Sequence, residues 1–410
     1  MKKLTRMLGN LRKLGPGLLF AGAAIGVSHL VQSTRAGADY GWGLLWALLL
    51  VNLFKYPFFQ FGPRYALATG ESLLDGYYKL GKIFLWFYFF LNVATMFTIQ
   101  TAVTIVTAGL ASNLFEIKTN MIHWSIGVTA VCYSILLIGR YKLLDKVIKV
   151  IILILTISSV LAVSTAFFKG NTSLVFSQMF PNGESILFLI AFMGWMPAPM
   201  DISIWHSIWI LEKKTDLKNK FSLKEGIFDF NVGYITTVIL GICFLGLGAL
   251  VMFGSSLEFS NKGNEFAGQL IDLYTSNLGE SWYMIIAIAA FTTMISTTIT
   301  TLDASPRAMS KTVQLLFKQK NKDFYIFWIT ILAVGTCLIF LFLLSEMGLL
   351  VQIATVLSFI TAPFYAILNY RLVTSNHMPK ENHPSLKIKI LSLLGIVFLT
   401  GFTGVYLLSL

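Results

Sequence analysis

Apolar and polar positions along the chain repeat one unit, a long apolar run followed by a short polar stretch. Runs such as Ile151–Phe168 and Phe324–Leu344 are of the length needed to cross roughly 30 Å of hydrocarbon. Lipid offers a bare backbone no hydrogen bonds, so these runs must be helices. The period-2 alternation of a membrane barrel is absent. The pattern predicts an all-α membrane protein with about eleven transmembrane helices, over 15–37, 41–69, 83–113, 122–139, 143–168, 184–211, 227–254, 281–303, 324–344, 347–371 and 387–409. Polar residues 255–280 join the seventh and eighth spans. There Phe266, Leu270, Leu273 and Tyr274 share one helical face, which predicts a short helix lying on the membrane surface.

Composition agrees. Of 410 residues, 56% are hydrophobic and 12% charged, about half the charged fraction of a soluble domain. The net charge of +12 raises nucleic acid as a partner, but the placement of the charges argues against it. The N-terminus and alternate loops hold 26 of the 31 Lys and Arg residues, among them Lys2, Lys3, Arg6, Arg12, Lys13, Arg140, Lys142, Lys146, Lys213, Lys214, Lys218, Lys220, Lys318, Lys320 and Lys322. The opposite side holds four, Arg35, Lys118, Lys169 and Lys262, and Lys55 lies inside the second span. This asymmetry predicts a multi-pass cell-membrane protein with a cytoplasmic N-terminus and an extracytoplasmic C-terminus. Its partners are the lipid bilayer and a transported ion or solute, and oligomeric state is left open. Met1–Lys13 is basic, but the following apolar stretch carries no processing site, so it reads as a first span. Cys132, Cys243 and Cys337 fall in separate apolar runs without metal or redox spacing and read as small core residues. HExxH, P-loop, GxSxG and dinucleotide glycine patterns are absent. The expectation is a carrier without a resident cofactor, not an enzyme.

Two spans do not read as continuous helices. The first contains Gly22, Gly26, Ser28 and His29. The sixth contains Gly194-Trp195-Met196-Pro197-Ala198-Pro199-Met200-Asp201, where two prolines remove two backbone donors and should open the helix. Carbonyls freed at membrane depth are tolerable only where they are buried in protein or line a cavity. The two breaks are five spans apart. Residues 15–168 and 184–371 would therefore form two five-helix halves of opposite orientation within one transporter domain, with 387–409 as an extra helix. The substrate site is expected between the discontinuous helices.

The residues Gly15-Pro16-Gly17, Ala36-Gly37 through Tyr40-Gly41, Leu44-Leu45-Trp46 and Ala68-Thr69-Gly70-Glu71-Ser72-Leu73 carry a family resemblance. The chain resembles the Nramp (natural resistance-associated macrophage protein) family, proton-coupled divalent-metal transporters of the LeuT-like fold. Ungapped counting puts the family's Asp-Pro-Gly-Asn motif on Gly26-Val27-Ser28-His29, so the Asp becomes Gly26 and the Asn His29. The family's Met-Pro-His motif falls either on Ala198-Pro199-Met200 or from Met196-Pro197 onward. Its acidic residues of the third span fall on Gln100 and Val103. The His-Ser pair at His206 matches the family's sixth span, which implies a proton-pathway role for His206.

The substrate-binding candidates are thus Gly26, Ser28, His29, Met196, Ala198, Met200 and Asp201. A rearranged metal site would use His29, Asp201 and Met196, a set that favours Mn²⁺, Fe²⁺ or Zn²⁺ over Mg²⁺. Lys55, buried in a span, needs a cavity or a counter-ion, and Asp201 is the expected partner. Gln100, Gln32 and the hydroxyls of the eighth span are further candidates, with Thr297 and Thr298 as the sodium-site candidates; helix packing is their ordinary role. The primary reading is a secondary transporter with a remodelled divalent-metal site. The alternative is a carrier of a small organic solute, an amino acid or amine, coupled to H⁺ or Na⁺.

Overall fold

The computed structural model describes residues 14–117, 119–169, 178–180, 185–217, 221–254, 283–319, 321–343 and 347–409, with isolated positions between 265 and 280. Met1–Lys13, Lys118, Lys218, Lys220, Lys262 and Lys320 lie outside them, as do Phe266, Leu273 and Tyr274 of the expected surface helix. In the described part of that segment Leu270 and Ile271 are fully buried, beside Leu30 and Leu155, while Glu265 and Asp272 are exposed.

No strand occurs among the described residues. The first span is α1 (Pro16–Ala24), a π-helical stretch (Ser28–Ser33) and α2 (Thr34–Tyr40). There follow α3 (Leu45–Thr69), α4 (Leu73–Leu80), α5 (Lys82–Leu114) and α6 (Met121–Lys169). The sixth span is α7 (Ser185–Trp195) and α8 (Ile202–Asp216). The chain continues with α9 (Leu223–Val251), α10 (Tyr283–Leu316), α11 (Tyr325–Leu343), α12 (Met347–Val373) and α13 (Leu386–Ser409). Eight segments are long and apolar enough to cross a membrane, and a ninth is the bent pair Pro16–Ala24 and Ser28–Tyr40, which turns by 50°. The remaining two expected spans are α3 and the α7/α8 pair. The first is long enough at 25 residues but carries Asn52, Lys55, Gln60 and Arg64. The second is split by its prolines.

The expected turn between the fourth and fifth spans is not a gap in the helix. Hydrogen bonding runs unbroken from Met121 to Lys169, with apolar windows at Met121–Ile138 and Ile148–Phe168. The intervening residues contain no proline and one glycine, Gly139, so nothing local stops the helix.

Glycines set the approach of α1 and α2 to α9. A Cβ on Gly233 would lie 1.9 Å from the Gly17 carbonyl oxygen, and one on Gly248 would lie 2.1 Å from that of Thr34. Asp229 of α9 then caps α1, accepting from the amides of Gly15 at 2.9 Å and Gly17 at 2.6 Å. On the flank that carries most of the Lys and Arg, Asp303 accepts from Arg307 Nε at 2.7 Å and from Tyr325 at 2.8 Å, which joins α10 to α11. Phe90, Ile138, Phe168 and Val397 are exposed on the outside of the bundle, as side chains that face lipid must be.

Gly233→Ala should force α1 away from α9 and lower stability by about 1–3 kcal/mol or more. Gly401→Ala, where a Cβ meets nothing within 4 Å, should leave it unchanged. Thermal unfolding of the two purified variants in detergent measures the difference.

Candidate functional site

The two helix breaks meet. Ser28 Oγ, in the first break, lies 3.5 Å from the carbonyl oxygen of Pro197 in the second. The His29 ring and the Met196 methyl both border Gly241 of α9, each 3.7 Å from where a Cβ would stand. Ser28, His29, Met196 and Ala198 are all buried. The structure therefore gathers Ser28, His29, Met196 and the Pro197 carbonyl around one point.

His29 is held at both nitrogens. Nε2 lies 3.0 Å from the Thr237 carbonyl oxygen. Nδ1 lies 2.8 Å from Ser28 Oγ and 3.1 Å from the Ala24 carbonyl oxygen, and Ser28 Oγ donates to that same carbonyl at 2.8 Å. A carbonyl only accepts and a neutral ring carries one proton, so the neutral ring can serve only one of the two carbonyls it faces. A metal reaching either nitrogen would have to displace one of these contacts. Among the described residues there is no group of three or more His, Cys, Asp or Glu side chains that could hold a metal ion.

Gly26 is closed over. A Cβ there would meet Thr297 Cγ2 at 2.7 Å and Oγ1 at 2.9 Å. Thr297 belongs to α10, and its hydroxyl lies 3.0 Å from the Gly22 carbonyl oxygen and 3.0 Å from that of Ile25. It supplies a donor to the carbonyl end of α1, where a sodium ion would need those oxygens free. Thr298 is used elsewhere, 2.7 Å from Thr107 Oγ1 on α5. Gln100 donates to Thr104 at 3.2 Å and to the Thr298 carbonyl at 3.3 Å, and accepts from Thr301 at 2.7 Å. Both residues stitch α5 to α10.

Lys55 does not pair with Asp201. Its ammonium donates to the carbonyl oxygens of Met193 at 2.9 Å and Gly194 at 2.7 Å, in the last turn of α7. The expectation of an acidic partner fails because backbone carbonyls, invisible in a sequence, provide the acceptors. Asp201 stands at the N-cap of α8 without a side-chain capping bond. Its Oδ1 has no hydrogen-bond partner among the described residues. The carboxylate is within electrostatic reach of Tyr88 on α5 and Tyr365 on α12, whose rings are 6.3 Å apart. The buried Tyr88 hydroxyl and Trp205 Nε1 face each other, and the buried Asn92 amide has no partner among the described residues. Met200 is buried, and its carbonyl accepts from Ser203 Oγ at 2.7 Å. His206 sits between Phe20 and Phe230, both ring centroids 5.7 Å away, and neither nitrogen has a partner.

Sequence reasoning missed Thr237, which contributes only its backbone, and Tyr88 and Asn92, which carry no helix-breaking or charge signal. Asp229 was visible as an acid just inside an apolar run.

The family model for natural resistance-associated macrophage protein-like sequences matches residues 17–409. The chain belongs to the Nramp family. It is 38% identical over 401 residues to an uncharacterized protein of Pasteurella multocida (strain Pm70), covering 96% of this chain and 91% of that one. Its fold resembles that of a manganese transporter of Eremococcus coleocola, with a TM-score of 0.71 at 14% identity over 95% of this chain and 84% of the other. It also resembles MhsT in complex with L-phenylalanine, with a TM-score of 0.64 at 13% identity over 96% and 98% of the two chains. This Nramp member is a multi-pass membrane transporter of the LeuT-like fold.

Thr297→Val should leave the Gly22 and Ile25 carbonyls without their hydroxyl donor and cost about 1–3 kcal/mol. Thr297→Ser, which keeps the donor, should unfold close to wild type. Thermal unfolding of the pair checks this.

Proposed function

We propose that this Nramp protein is a secondary-active carrier, not an enzyme, that alternates access around the junction of its two broken spans. Residues 15–168 and 184–371 are inverted halves, and one helix bundle rocks against another around the broken helices. In this reading the N-terminus faces the cytoplasm of a plasma membrane and the C-terminus the outside, which the Lys and Arg distribution supports.

For the cargo, we favour a small organic solute such as an amino acid or amine over a bare divalent ion. The observation that carries this is the closure of Gly26 by Thr297. The resemblance assigns the family's metal-binding carboxylate to Gly26, and here the space for such a side chain is filled. A divalent cation leaving water needs negative charge or several strong oxygen donors. His29, whose two ring nitrogens face the carbonyls of Ala24 and Thr237, replaces neither.

A second reading keeps the metal. Buried Met196 and Met200 offer soft sulfur, and Asp201 has one oxygen without a partner. The manganese transport named for the Eremococcus coleocola protein fits this reading. It requires the breaks to rearrange so that Asp201 meets His29 and Met196.

Calorimetric titration of the purified full chain with Mn²⁺ and Zn²⁺, beside a thermal-shift screen of amino acids and amines, tests the two readings. Absence of saturable metal binding together with stabilisation by a solute is expected. Saturable Mn²⁺ binding that His29→Ala or Asp201→Ala abolishes would overturn the organic-solute reading.

A further inference from the structure

Lys55 is the most deeply placed cation among the described residues. It is fully buried, it lies ten residues into α3, and no described ion pair includes it. Its two acceptors belong to the last turn of α7, just before the chain leaves the helix at Met196. The final carbonyls of a helix have no intrahelical donors. Aligned peptide dipoles make that end equivalent to roughly half a negative charge. In water such an end is solvated. At membrane depth it must be met by a donor or a cation, and the discontinuous helices of transporters commonly use a bound cation.

We propose that Lys55 is a tethered cation, standing where a free monovalent cation would otherwise bind at the carbonyl end of α7. Three features support this over simple hydrogen-bond capping. Neutral hydroxyls are enough to serve the matching end of α1, Thr297 at the Gly22 and Ile25 carbonyls and Ser28 at that of Ala24. A neutral cap was therefore available, yet α3 carries an ammonium, whose insertion is costly at this depth. The ammonium contacts oxygens at 2.7 and 2.9 Å, as a bound ammonium ion would. It also has no carboxylate to serve, so its charge is matched only by the helix end. The carrier thus holds its own positive charge beside the break, and this position is closed both to a co-transported cation and to a cationic cargo. The inference concerns the resident charge and stands whichever cargo is carried.

Lys55→Ala, Lys55→Gln and Lys55→Met in the full chain test it by thermal unfolding in detergent, with ammonium, methylammonium and ethylammonium chloride against a tetraethylammonium control. Each variant should unfold about 5 °C or more below wild type. Lys55→Ala alone should regain most of that loss in the small ammonium salts and none in tetraethylammonium. Wild type should not respond. A Lys55→Gln protein as stable as wild type would overturn the proposal, because a neutral amide would then suffice. So would a Lys55→Ala protein that no small ammonium ion restores. Should Lys55→Ala fail to fold, the other two decide: Gln no better than Met supports the resident charge, and Gln equal to wild type refutes it.

Discussion

A carbonyl released from a helix inside a membrane has no water to turn to. This chain releases carbonyls twice, at Gly22–Ile25 and at Met193–Gly194, and the architecture around the breaks answers that demand. The hydroxyl of Thr297 serves the first set and the ammonium of Lys55 the second. Each donor comes from a continuous helix beside the break, α10 in one case and α3 in the other. The positions of those two helices are therefore tied to the breaks by specific bonds as well as by packing. Gln100, Thr107 and Thr298 then join α10 to α5, which extends the same scaffold outward.

Close approach makes these bonds possible. Gly17, Gly233, Thr34 and Gly248 bring backbone against backbone where α1 and α2 cross α9, and small residues are the usual means to that end in membranes. With α9 this near, the Thr237 carbonyl reaches His29 and the Asp229 carboxylate reaches the amides at the start of α1. Both ends of the α1 half-helix are thus met, the amide end by a carboxylate and the carbonyl end by a hydroxyl. This matching fixes α1 more firmly than its nine residues would alone.

Much of the architecture was legible in the sequence because it depends on composition over long windows. Apolar runs, charge asymmetry and the Pro197/Pro199 pair gave the spans, their order and the second break. The partner of Lys55 was not legible. A sequence displays charged side chains and conceals backbone carbonyls, so the expectation fell on an acid, Asp201. For the same reason His29 could be marked as important, but not as tied to Thr237. The continuity of α6 through Gly139 and its neighbours was missed because charge in a short loop and charge on a helix look alike when no proline or turn residue separates them.

Polar satisfaction is uneven across the second break. On the α7 side, Lys55 closes the carbonyl end and Trp195 Nε1 donates to Ser358 at 2.9 Å. On the α8 side, among the described residues, Asp201 Oδ1 at the N-cap and both His206 nitrogens and Trp209 Nε1 along the helix are without partners. Leaving each buried group unsatisfied costs about 1–3 kcal/mol. An element that carries several such groups in one state gains more than its neighbours from any other state that supplies partners. Segments that move are drawn from the least stabilised parts of a fold. By this reasoning matched charges, caps and carbonyls gather where α1, α3, α7, α9 and α10 meet, and a state that supplied partners to Asp201 and His206 would favour α8 most.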